Sequence, residues 1–262
     1  MIVTWSQGDA NYNMDENILV RLGDLISCHP WWHARARLAV ALLQRFETPQ
    51  SARILDVGCG WGSNLVALEK TGYEVVGLDI SRQALERLDQ PSRRLIECDI
   101  TKPLPHDAEE YDVALALDVI EHLDDDAAAV KILGRLVKPG GLVIVSVPAL
   151  PDLYSDYDKV QGHRQRYLPE TLRKAFECSD LAIKQMLWWG AWMVPILRRQ
   201  RGQVKTVSTE SPSETYQRYL SLPPWPAPLL MQLAFQMEQN RTLQGKTQIG
   251  TSLFAIAQRN QL

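Results

Sequence analysis

The chain has 262 residues, which is long enough for one large α/β domain with an insertion and short for two independent cores. Its hydrophobic fraction of 45% and charged fraction of 23% are ordinary for a globular protein, and no run is apolar enough for a spanning helix. The formal net charge of -3 argues against a dedicated nucleic-acid binder, which is usually basic.

The cysteine pattern predicts free thiols in a reducing, cytoplasmic environment. The cysteines are widely scattered, without a CxxC pair or a Cys/His ladder of zinc spacing: Cys28, Cys59, Cys98 and Cys178. His29 and His33 are separated by Pro30 and have no matching carboxylate, so no metal site is predicted. The first residues lack the basic and apolar segments of a secretory signal.

Residues 1–48 are predicted to form an N-terminal helical segment ahead of the main domain. Residues 1 to about 17 are polar and rich in asparagine, so we expect them to be loosely ordered. Apolar residues then recur at helical spacing through 18–46. Pro30 lacks an amide hydrogen and divides this stretch into two helices.

From residue 53 the pattern changes to short apolar strands that alternate with helices. The predicted strands are 53–57, 73–78, 95–97, 113–117, 142–147, 183–188 and 252–257. The predicted helices between the early strands are 63–70, 81–88 and 125–137, the last of which stops at a turn over 138–141. Continuous apolar strands separated by helices indicate a parallel sheet covered on both faces.

The predicted fold is an α/β domain over 49–262 with a doubly wound, mostly parallel, seven-stranded sheet. Residues of different character lie between the last two strands, and we interpret about 189–248 as a helical cap insertion. Sheets of this kind bind ligands beyond the carboxyl ends of their strands, so the informative residues should follow each strand.

A glycine loop follows the first strand of this pattern. Gly58, Gly60 and Gly62 alternate before a helix, which allows a sharp turn and a close approach of ligand to backbone. The helix N-terminus adds free N–H groups and a partial positive charge. The spacing departs from the G-x-G-x-x-G of dinucleotide sites, and Asp56 precedes the loop. A carboxylate there disfavours a pyrophosphate and suits the ammonium group of an amino acid.

Acidic residues also end the next strands. Asp79 ends the second strand, where an acidic side chain can accept hydrogen bonds from a ribose diol, and Asp99 follows the third, placed to meet an adenine amino group. Either aspartate alone could be an ordinary turn residue. Together with Asp56 they place acidic residues at three successive strand ends, which favours a ligand site.

Four segments, LDVGCGWG, GLDIS, ECDI and YDVALALDVIEHLDD, resemble successive motifs of class I methyltransferases that use S-adenosylmethionine (SAM). The resemblance covers about residues 50–150 of this Rossmann-like family and is greatest for the branch with the quinone-biosynthesis enzymes. It implies SAM as cofactor, Asp79 at the ribose, Asp99 at the adenine, the glycine loop at the methionine end, and a small-molecule acceptor. No N/D-P-P-Y/F motif follows the fourth strand, so a nucleic-acid substrate is not expected.

The resemblance also implies further cofactor contacts. In this fold the helix before the first strand commonly covers the cofactor, so Trp32 and Arg35 are predicted to belong to a lid. The remaining predicted contacts accompany the glycine loop and the strand ends: Cys59, Ile80, Ile100 and Asp118.

The acceptor side is predicted from the loops after the fourth and fifth strands. His122 should lie near the reactive end of the cofactor as a general base, or else pack there structurally. His163, Arg166 and Tyr167 overhang the expected pocket and are predicted to bind an anionic or hydroxylated acceptor. The alternative is an interlocked loop whose polar groups satisfy one another.

The segment 186–235 has two interpretations. It either caps a hydrophobic acceptor pocket or touches a membrane surface, with tryptophans at the interface and three arginines near anionic lipid: Arg198, Arg199 and Arg201. We favour the cap, because tryptophan-rich segments are often buried. Two other function classes stay open, a SAM-binding protein without catalysis and a nicotinamide-dependent oxidoreductase. The sequence does not predict an oligomeric state.

Overall fold

The computed structural model describes residues 1–7, 23–201, 211–222 and 224–261, without the side chains of 24, 212 and 213. Eight strands of these residues form one sheet in the order β1-β4-β3-β2-β5-β6-β8-β7. The strands are β1 (Ile2–Thr4), β2 (Arg53–Val57), β3 (Glu74–Asp79), β4 (Arg94–Glu97), β5 (Tyr111–Leu117), β6 (Val137–Pro148), β7 (Leu181–Trp189) and β8 (Ser252–Arg259).

The sheet is parallel from β1 through β6, and only β8 runs antiparallel, to both β6 and β7. The order reverses between β2 and β5, which are neighbours in the sheet but not in the chain. A crevice forms beyond the carboxyl ends of strands at such a reversal. This arrangement confirms the predicted doubly wound, mostly parallel α/β sheet.

Helices cover both faces of the sheet. The described helices are α1 (Gly23–Cys28), α2 (Pro30–Arg45), α3 (Ser63–Lys70), α4 (Arg82–Leu88), α5 (Asp126–Arg135), α6 (Asp156–Val160), α7 (Pro169–Phe176), α8 (Val194–Arg201), α9 (Pro212–Leu220) and α10 (Ala227–Leu243). Two large apolar clusters form the cores, one centred on Val145 and Leu133 and the other on Ile144 and Leu42. Alternate side chains of β6 enter different clusters, as expected of a strand buried on both faces.

The prediction of seven strands is wrong, because the chain start adds an eighth strand. Ile2, Val3 and Thr4 lie in parallel register with β4, and the amide of Trp5 donates to the Glu97 carbonyl at 2.9 Å. The three residues are β-branched, a type that suits strands, and β4 offers an unpaired edge. The loose order predicted for the chain start is therefore wrong for 2–4, while 8–17 lie outside the described residues.

Three other local features refine the predictions. Pro30 is the first residue of α2, and the His29 ring accepts a hydrogen bond from the Trp31 amide, which caps the helix. The helical pattern predicted over 18–22 lies outside the described residues. Residues 138–141, predicted as a turn, belong to β6, where Gly140 has a φ of +80°.

The chain between β7 and β8 contains α8, α9 and α10. The longest of these, α10, packs against α2 and β7, so this insertion rests on the same face as the N-terminal helices. None of the described helices combines the length and the apolar character that crossing a membrane requires.

Candidate cofactor and acceptor site

A cavity of about 650 Å³ opens at the carboxyl ends of the parallel strands. One side, here named the cofactor wall, consists of α2, the glycine loop and the residues that follow β3, β4 and β5. The other side, named the acceptor wall, consists of the loop from Tyr157 to Arg166 and the insertion with α8, α9 and α10. The cavity thus brings together parts of the chain that are distant in sequence.

Most of the predicted cofactor residues line this cavity: Trp32, Arg35, Gly58, Cys59, Gly60, Asp79, Ile80, Asp99, Ile100 and Asp118. Asp56 and Gly62 are predicted contacts that do not line it. Among the predicted acceptor residues, the cavity is lined by His122, His163 and Arg166 but not by Tyr167.

The glycines of the loop have different tasks, although all three have positive φ values. A Cβ atom at Gly58 would lie 2.6 Å from the side chain of Val119, and one at Gly62 would lie 2.6 Å from that of Leu88. These two glycines permit close packing. A Cβ atom at Gly60 would meet nothing closer than a backbone oxygen at 3.9 Å, so this glycine leaves open space along the backbone. A ligand can approach the backbone there.

Asp79 is buried at the end of β3 and faces the glycine loop. Its Oδ2 accepts the amide of Gly60 at 2.7 Å, and its Oδ1 accepts the amide of Ser81 at 2.8 Å. Burial raises the pKa of Asp79, and these amide donors offset part of that rise. A carboxylate has about four acceptor positions, so a diol can still donate to this side chain.

Asp99 is held by its own turn and by the chain start. Its Oδ1 accepts the amide and the hydroxyl of Thr101 at 2.9 and 2.6 Å, and its own amide donates to Ser6 at 2.9 Å. Its Oδ2 lies 4.0 Å from the Lys102 ammonium. The support from Ser6 was not predicted, because no secondary structure was expected at the chain start.

Arg35 connects the lid helix α2 to the end of β5. Its guanidinium forms an ion pair with Asp118 and lies over the Trp31 ring, 4.6 Å from the centroid. The hydroxyl of Ser146 donates to Asp118 at 2.8 Å. Trp32 meets Trp31 edge to face at 5.1 Å. The predicted lid residues therefore form a wall of aromatic rings with one cation, which suits the carboxylate of an amino acid.

Asp56 lies behind the glycine loop rather than on the cavity wall. It has no exposed surface, and its hydrogen-bonding contacts are with the side chain of Asn64 and the backbone of Leu65. The pKa of Asp56 is raised to about 7, mainly by burial. The nearby Arg35 opposes this rise and Asp79 adds to it. The structure therefore does not bring Asp56 to the surface where a bound ammonium would lie, and its predicted contact stays a prediction.

The cofactor wall fits SAM on three observations. Gly60 leaves room for a ligand against the backbone, Asp79 keeps acceptor positions for a diol, and Arg35 presents a cation. The loop spacing also departs from the G-x-G-x-x-G of sites that hold a pyrophosphate over the helix.

Two histidines face each other on the acceptor side. The rings of His122 and His163 meet edge to face at 4.8 Å. Burial, together with a smaller contribution from the neighbouring His163, lowers the pKa of His122 to about 3. His122 is therefore neutral at physiological pH. Glu121 is fully buried beside them, and burial raises its pKa well above the usual range.

Glu121, His122 and His163 also have the ligand types of a metal site. Their potential ligand atoms lie within 4.8 Å of one another. Imidazole and carboxylate ligands suit several divalent metals. No metal ligand was predicted in this segment, and the cluster arises because the loop after β6 folds back on the end of β5.

Asp158 organises the loop after β6. This buried carboxylate contacts the His163 Nδ1 at 3.1 Å, accepts the Arg166 Nε at 2.7 Å and accepts an Arg201 N–H at 3.1 Å. Burial opposes ionisation of Asp158, but these partners outweigh it and hold its pKa well below the usual range. Arg166 also donates to the Ala149 carbonyl at 2.9 Å, so much of its donor capacity is used within the protein.

Tyr167 packs inside the domain, away from the position predicted from sequence. It has no exposed surface, and its hydroxyl donates to Asp126 at 2.8 Å. Its backbone pairs with Pro148 and Leu150. These bonds fasten the loop to the end of β6, so the interlocked-loop alternative describes Tyr167 better than a contact with the acceptor.

The insertion supplies most of the apolar surface of the acceptor wall. Its lining side chains are Trp192, Met193, Ile196, Leu197, Leu230, Met231 and Ala234. Arg198 forms an ion pair with Asp152 at 2.9 Å, and Arg201 contacts Asp158, so two of the three predicted lipid-facing arginines pair with carboxylates of the chain. Exposed apolar side chains nevertheless follow one face of α10, where Met237 is 69% exposed. Trp225, just before the helix, is 81% exposed.

A group of tyrosines in the cavity was not predicted. Tyr157 and Tyr216 stack at 5.3 Å, and Tyr219 meets Tyr157 at 5.2 Å. All three line the cavity. The spacing of Tyr216 and Tyr219 was visible in the sequence, but only the packing of α9 against α6 brings them to this place.

Known proteins that resemble this chain include methyltransferases, and the matched region contains much of the site. The family described as "Methyltransferase domain" matches residues 31–186, which include the cofactor wall, His122, His163 and Arg166. A relative from Hydrogenovibrio crunogenus named ubiquinone biosynthesis O-methyltransferase is 30% identical over 160 residues. That match covers 54% of this chain and 65% of the relative, so the likeness spans somewhat less than two thirds of the relative's length.

Solved structures share the fold at low sequence identity. The N-methyltransferase NodS from Bradyrhizobium japonicum, in complex with S-adenosylhomocysteine, has a TM-score of 0.50 and 14% identity, with 86% of each chain covered. The [4+2]-cyclase SpnF has a TM-score of 0.52 and 16% identity, with 87% of this chain and 81% of that chain covered. The predicted resemblance is therefore confirmed, and the chain belongs to the methyltransferase-domain family, with the Rossmann-like fold of the class I enzymes.

Proposed function

We propose that this chain transfers a methyl group from SAM to a small apolar or amphipathic acceptor. The observation that carries the proposal is a continuous cavity that joins the glycine loop and acidic strand ends to an apolar cap. The spacing of the loop and the family membership favour SAM over a nicotinamide dinucleotide.

The residues of the cofactor wall have distinct tasks in this proposal. Gly60 admits the methionine end of the cofactor against the backbone, Arg35 meets its carboxylate, and Asp79 accepts its ribose hydroxyls. Asp99 remains the proposed partner of the adenine, with Ile80 and Ile100 packing beside it. When bound, SAM supplies an activated methyl group, so the protein mainly has to align the acceptor and exclude water.

The acceptor is proposed to be hydroxylated and partly apolar. The cap contributes aromatic and aliphatic side chains, whereas the end near His122 and His163 is polar and titratable. A hydroxyl acceptor has to lose its proton during methyl transfer, and a histidine can receive it. The relative from Hydrogenovibrio crunogenus is named as an O-methyltransferase, which supports oxygen as the methylated atom.

The proposed location is the cytoplasm, with a peripheral contact at a membrane surface. All four cysteines are free thiols, as a reducing compartment favours. The exposed face of α10 includes Leu229, Leu233 and Met237, one helical turn apart, and Trp225 lies just before the helix. Leu230 is both exposed and part of the cavity lining, so an apolar acceptor could enter from this face.

A second candidate function is SAM binding without methyl transfer. It is supported by the neighbour named a [4+2]-cyclase, because fold alone does not decide the reaction. Both candidates require the same cofactor wall, but only the first requires a base beside the acceptor.

An acceptor panel separates the two candidates. The protein is incubated with SAM and with phenols, catechols, carboxylates, amines and thiols of graded apolarity, and S-adenosylhomocysteine is quantified. The proposal expects turnover with at least one hydroxylated, apolar compound and a matching methylated product. Tight SAM binding without product from any class supports the second candidate instead.

A further inference from the structure

The acceptor end of the cavity contains two histidines that could receive a proton. His122 and His163 both line the cavity, whereas the neighbouring Glu121 has no exposed surface. A methyl transfer to a hydroxyl needs one base at this end, so the inference rests on the proposed function. The contacts of the two rings distinguish them.

His163 has a carboxylate partner in place. Its Nδ1 lies 3.1 Å from Oδ1 of Asp158, and Asp158 is buried and ionised. An ionised carboxylate only accepts hydrogen bonds, so Nδ1 of His163 carries the hydrogen in this contact. The other nitrogen, Nε2, therefore keeps a lone pair that can accept a proton.

His122 lacks this arrangement. Its hydrogen-bonding contact is with the backbone of Gln161, not with a carboxylate. Asp118 favours a charged His122, but burial and His163 outweigh that effect and its pKa falls to about 3. A ring with so low a pKa accepts a proton poorly near neutral pH. Glu121 has no exposed surface and does not line the cavity, and its Oε1 lies 3.9 Å from Nε2 of His163.

Asp158 is fixed by groups from three parts of the chain. The amide of Ser155 donates to Oδ2 at 2.9 Å, Arg166 donates to Oδ1 at 2.7 Å, and Arg201 donates to Oδ2 at 3.1 Å. Arg201 is the last residue of α8, so the cap docks on the carboxylate that holds His163. A buried hydrogen-bond network of this kind restricts the orientation of its members.

We propose that His163 is the general base of the methyl transfer and that Asp158 is its positioning residue. The O–H bond of the acceptor breaks, its proton forms an N–H bond at Nε2 of His163, and the electron pair stays on oxygen. That pair forms the bond to the methyl carbon, while the pair of the broken carbon–sulfur bond returns to sulfur. The positive charge that leaves the sulfonium thus appears on the imidazole, next to ionised Asp158.

The tautomer of His163 tests the positioning role without any acceptor. Protein labelled with ¹⁵N-histidine is examined by long-range proton–nitrogen NMR, and the ring is assigned with His163→Gln. We expect hydrogen on Nδ1 in the wild type and loss of that preference in Asp158→Asn. The matched control is Asp156→Asn, an acidic residue of the same helix that pairs with Lys159 and should leave the tautomer unchanged. Hydrogen on Nε2 of wild-type His163 would overturn the assignment.

The acidity of the acceptor tests the base role. Catechol needs a base, whereas 4-nitrocatechol is largely ionised at neutral pH. With catechol, we expect His163→Gln and Asp158→Asn to lower kcat by roughly 10²-fold or more, the usual contribution of a general base. With 4-nitrocatechol, the loss should be under roughly tenfold on the same grounds. A merely structural role predicts equal losses for both acceptors, and that result contradicts the proposal.

The remaining outcomes separate this inference from the proposed function. Unchanged turnover of catechol in His163→Gln, with SAM binding retained, removes His163 as base and leaves the methyltransferase proposal intact. A wild-type protein that binds SAM but methylates neither catechol nor any other hydroxylated compound contradicts the proposed acceptor, and the base role with it. The NMR result still decides in that case whether Asp158 positions His163.

Discussion

The two walls of the cavity differ in what positions their buried carboxylates. On the cofactor wall, Asp79 contacts Gly60 and Ser81, and the register of β2 beside β3 brings these residues together. On the acceptor wall, Asp158 contacts His163 and also Arg201, which comes from the insertion. Strand register therefore positions Asp79, whereas the packing of a loop against an insertion positions Asp158.

The largest expected effect comes from closing the open space on the cofactor wall. Gly60→Ala places a methyl group where the ligand approaches the backbone, and we expect it to weaken SAM binding by about 2–3 kcal/mol, the scale of overpacking. The matched control is Gly245→Ala, because Gly245 also has a positive φ but lies outside the cavity lining. Calorimetry should show a loss of affinity only for Gly60→Ala, and equal affinities would contradict the role of this glycine.

A smaller loss is expected at the proposed ribose contact. Asp79→Ala removes a hydrogen-bonded charged partner and should weaken SAM binding by about 1–3 kcal/mol. Asp107→Ala changes an exposed aspartate in the same way and should leave the affinity unchanged. Unaltered calorimetric affinity in Asp79→Ala would refute the ribose assignment.

The buried Asp56 on the cofactor side should make the stability of the folded chain depend on pH. Burial raises its pKa from 3.8 to about 7, so the folded chain retains a proton that the unfolded chain has released. This side chain therefore lowers stability as the pH rises through that window, and the loss is complete above it. Asp56→Asn should raise Tm relative to the wild type increasingly between about pH 4 and about pH 7. A Tm difference that is independent of pH, as expected for the exposed control Asp107→Asn, would contradict this account.

The smallest effect is expected on the outer surface of the insertion. Trp225→Ser removes an exposed aromatic ring and should weaken binding to phosphatidylglycerol vesicles by about 1–2 kcal/mol, the scale of burying one apolar side chain. Sedimentation with vesicles measures this change, and SAM affinity serves as the internal control. A wild-type protein that stays in the supernatant would contradict the proposed membrane contact.

Much of the sheet and of the cofactor wall was predictable from the sequence. Strand and glycine patterns depend on a few neighbouring residues, so β2 and the helix after it were predicted with their observed bounds. Asp79 and Asp99 were found because parallel strands end at one edge of the sheet. The strand at Ile2–Thr4 was missed because its partner, β4, lies some 90 residues away in the chain.

The acceptor wall was less predictable for the same reason. His163, Arg166 and Tyr167 are close in sequence, yet the first two line the cavity and Tyr167 packs toward Asp126. No local pattern distinguishes these directions. The place of Asp56 behind the loop also depends on packing, since its position in the motif suggested the surface.

The most direct test of the central claim is a calorimetric titration of the wild-type protein with S-adenosylhomocysteine and, separately, with NAD. The account predicts one-site binding of S-adenosylhomocysteine and no measurable binding of NAD, because the G-x-G-x-G loop lacks the glycine spacing that holds a pyrophosphate over the helix. Saturable binding of NAD without binding of S-adenosylhomocysteine would contradict it.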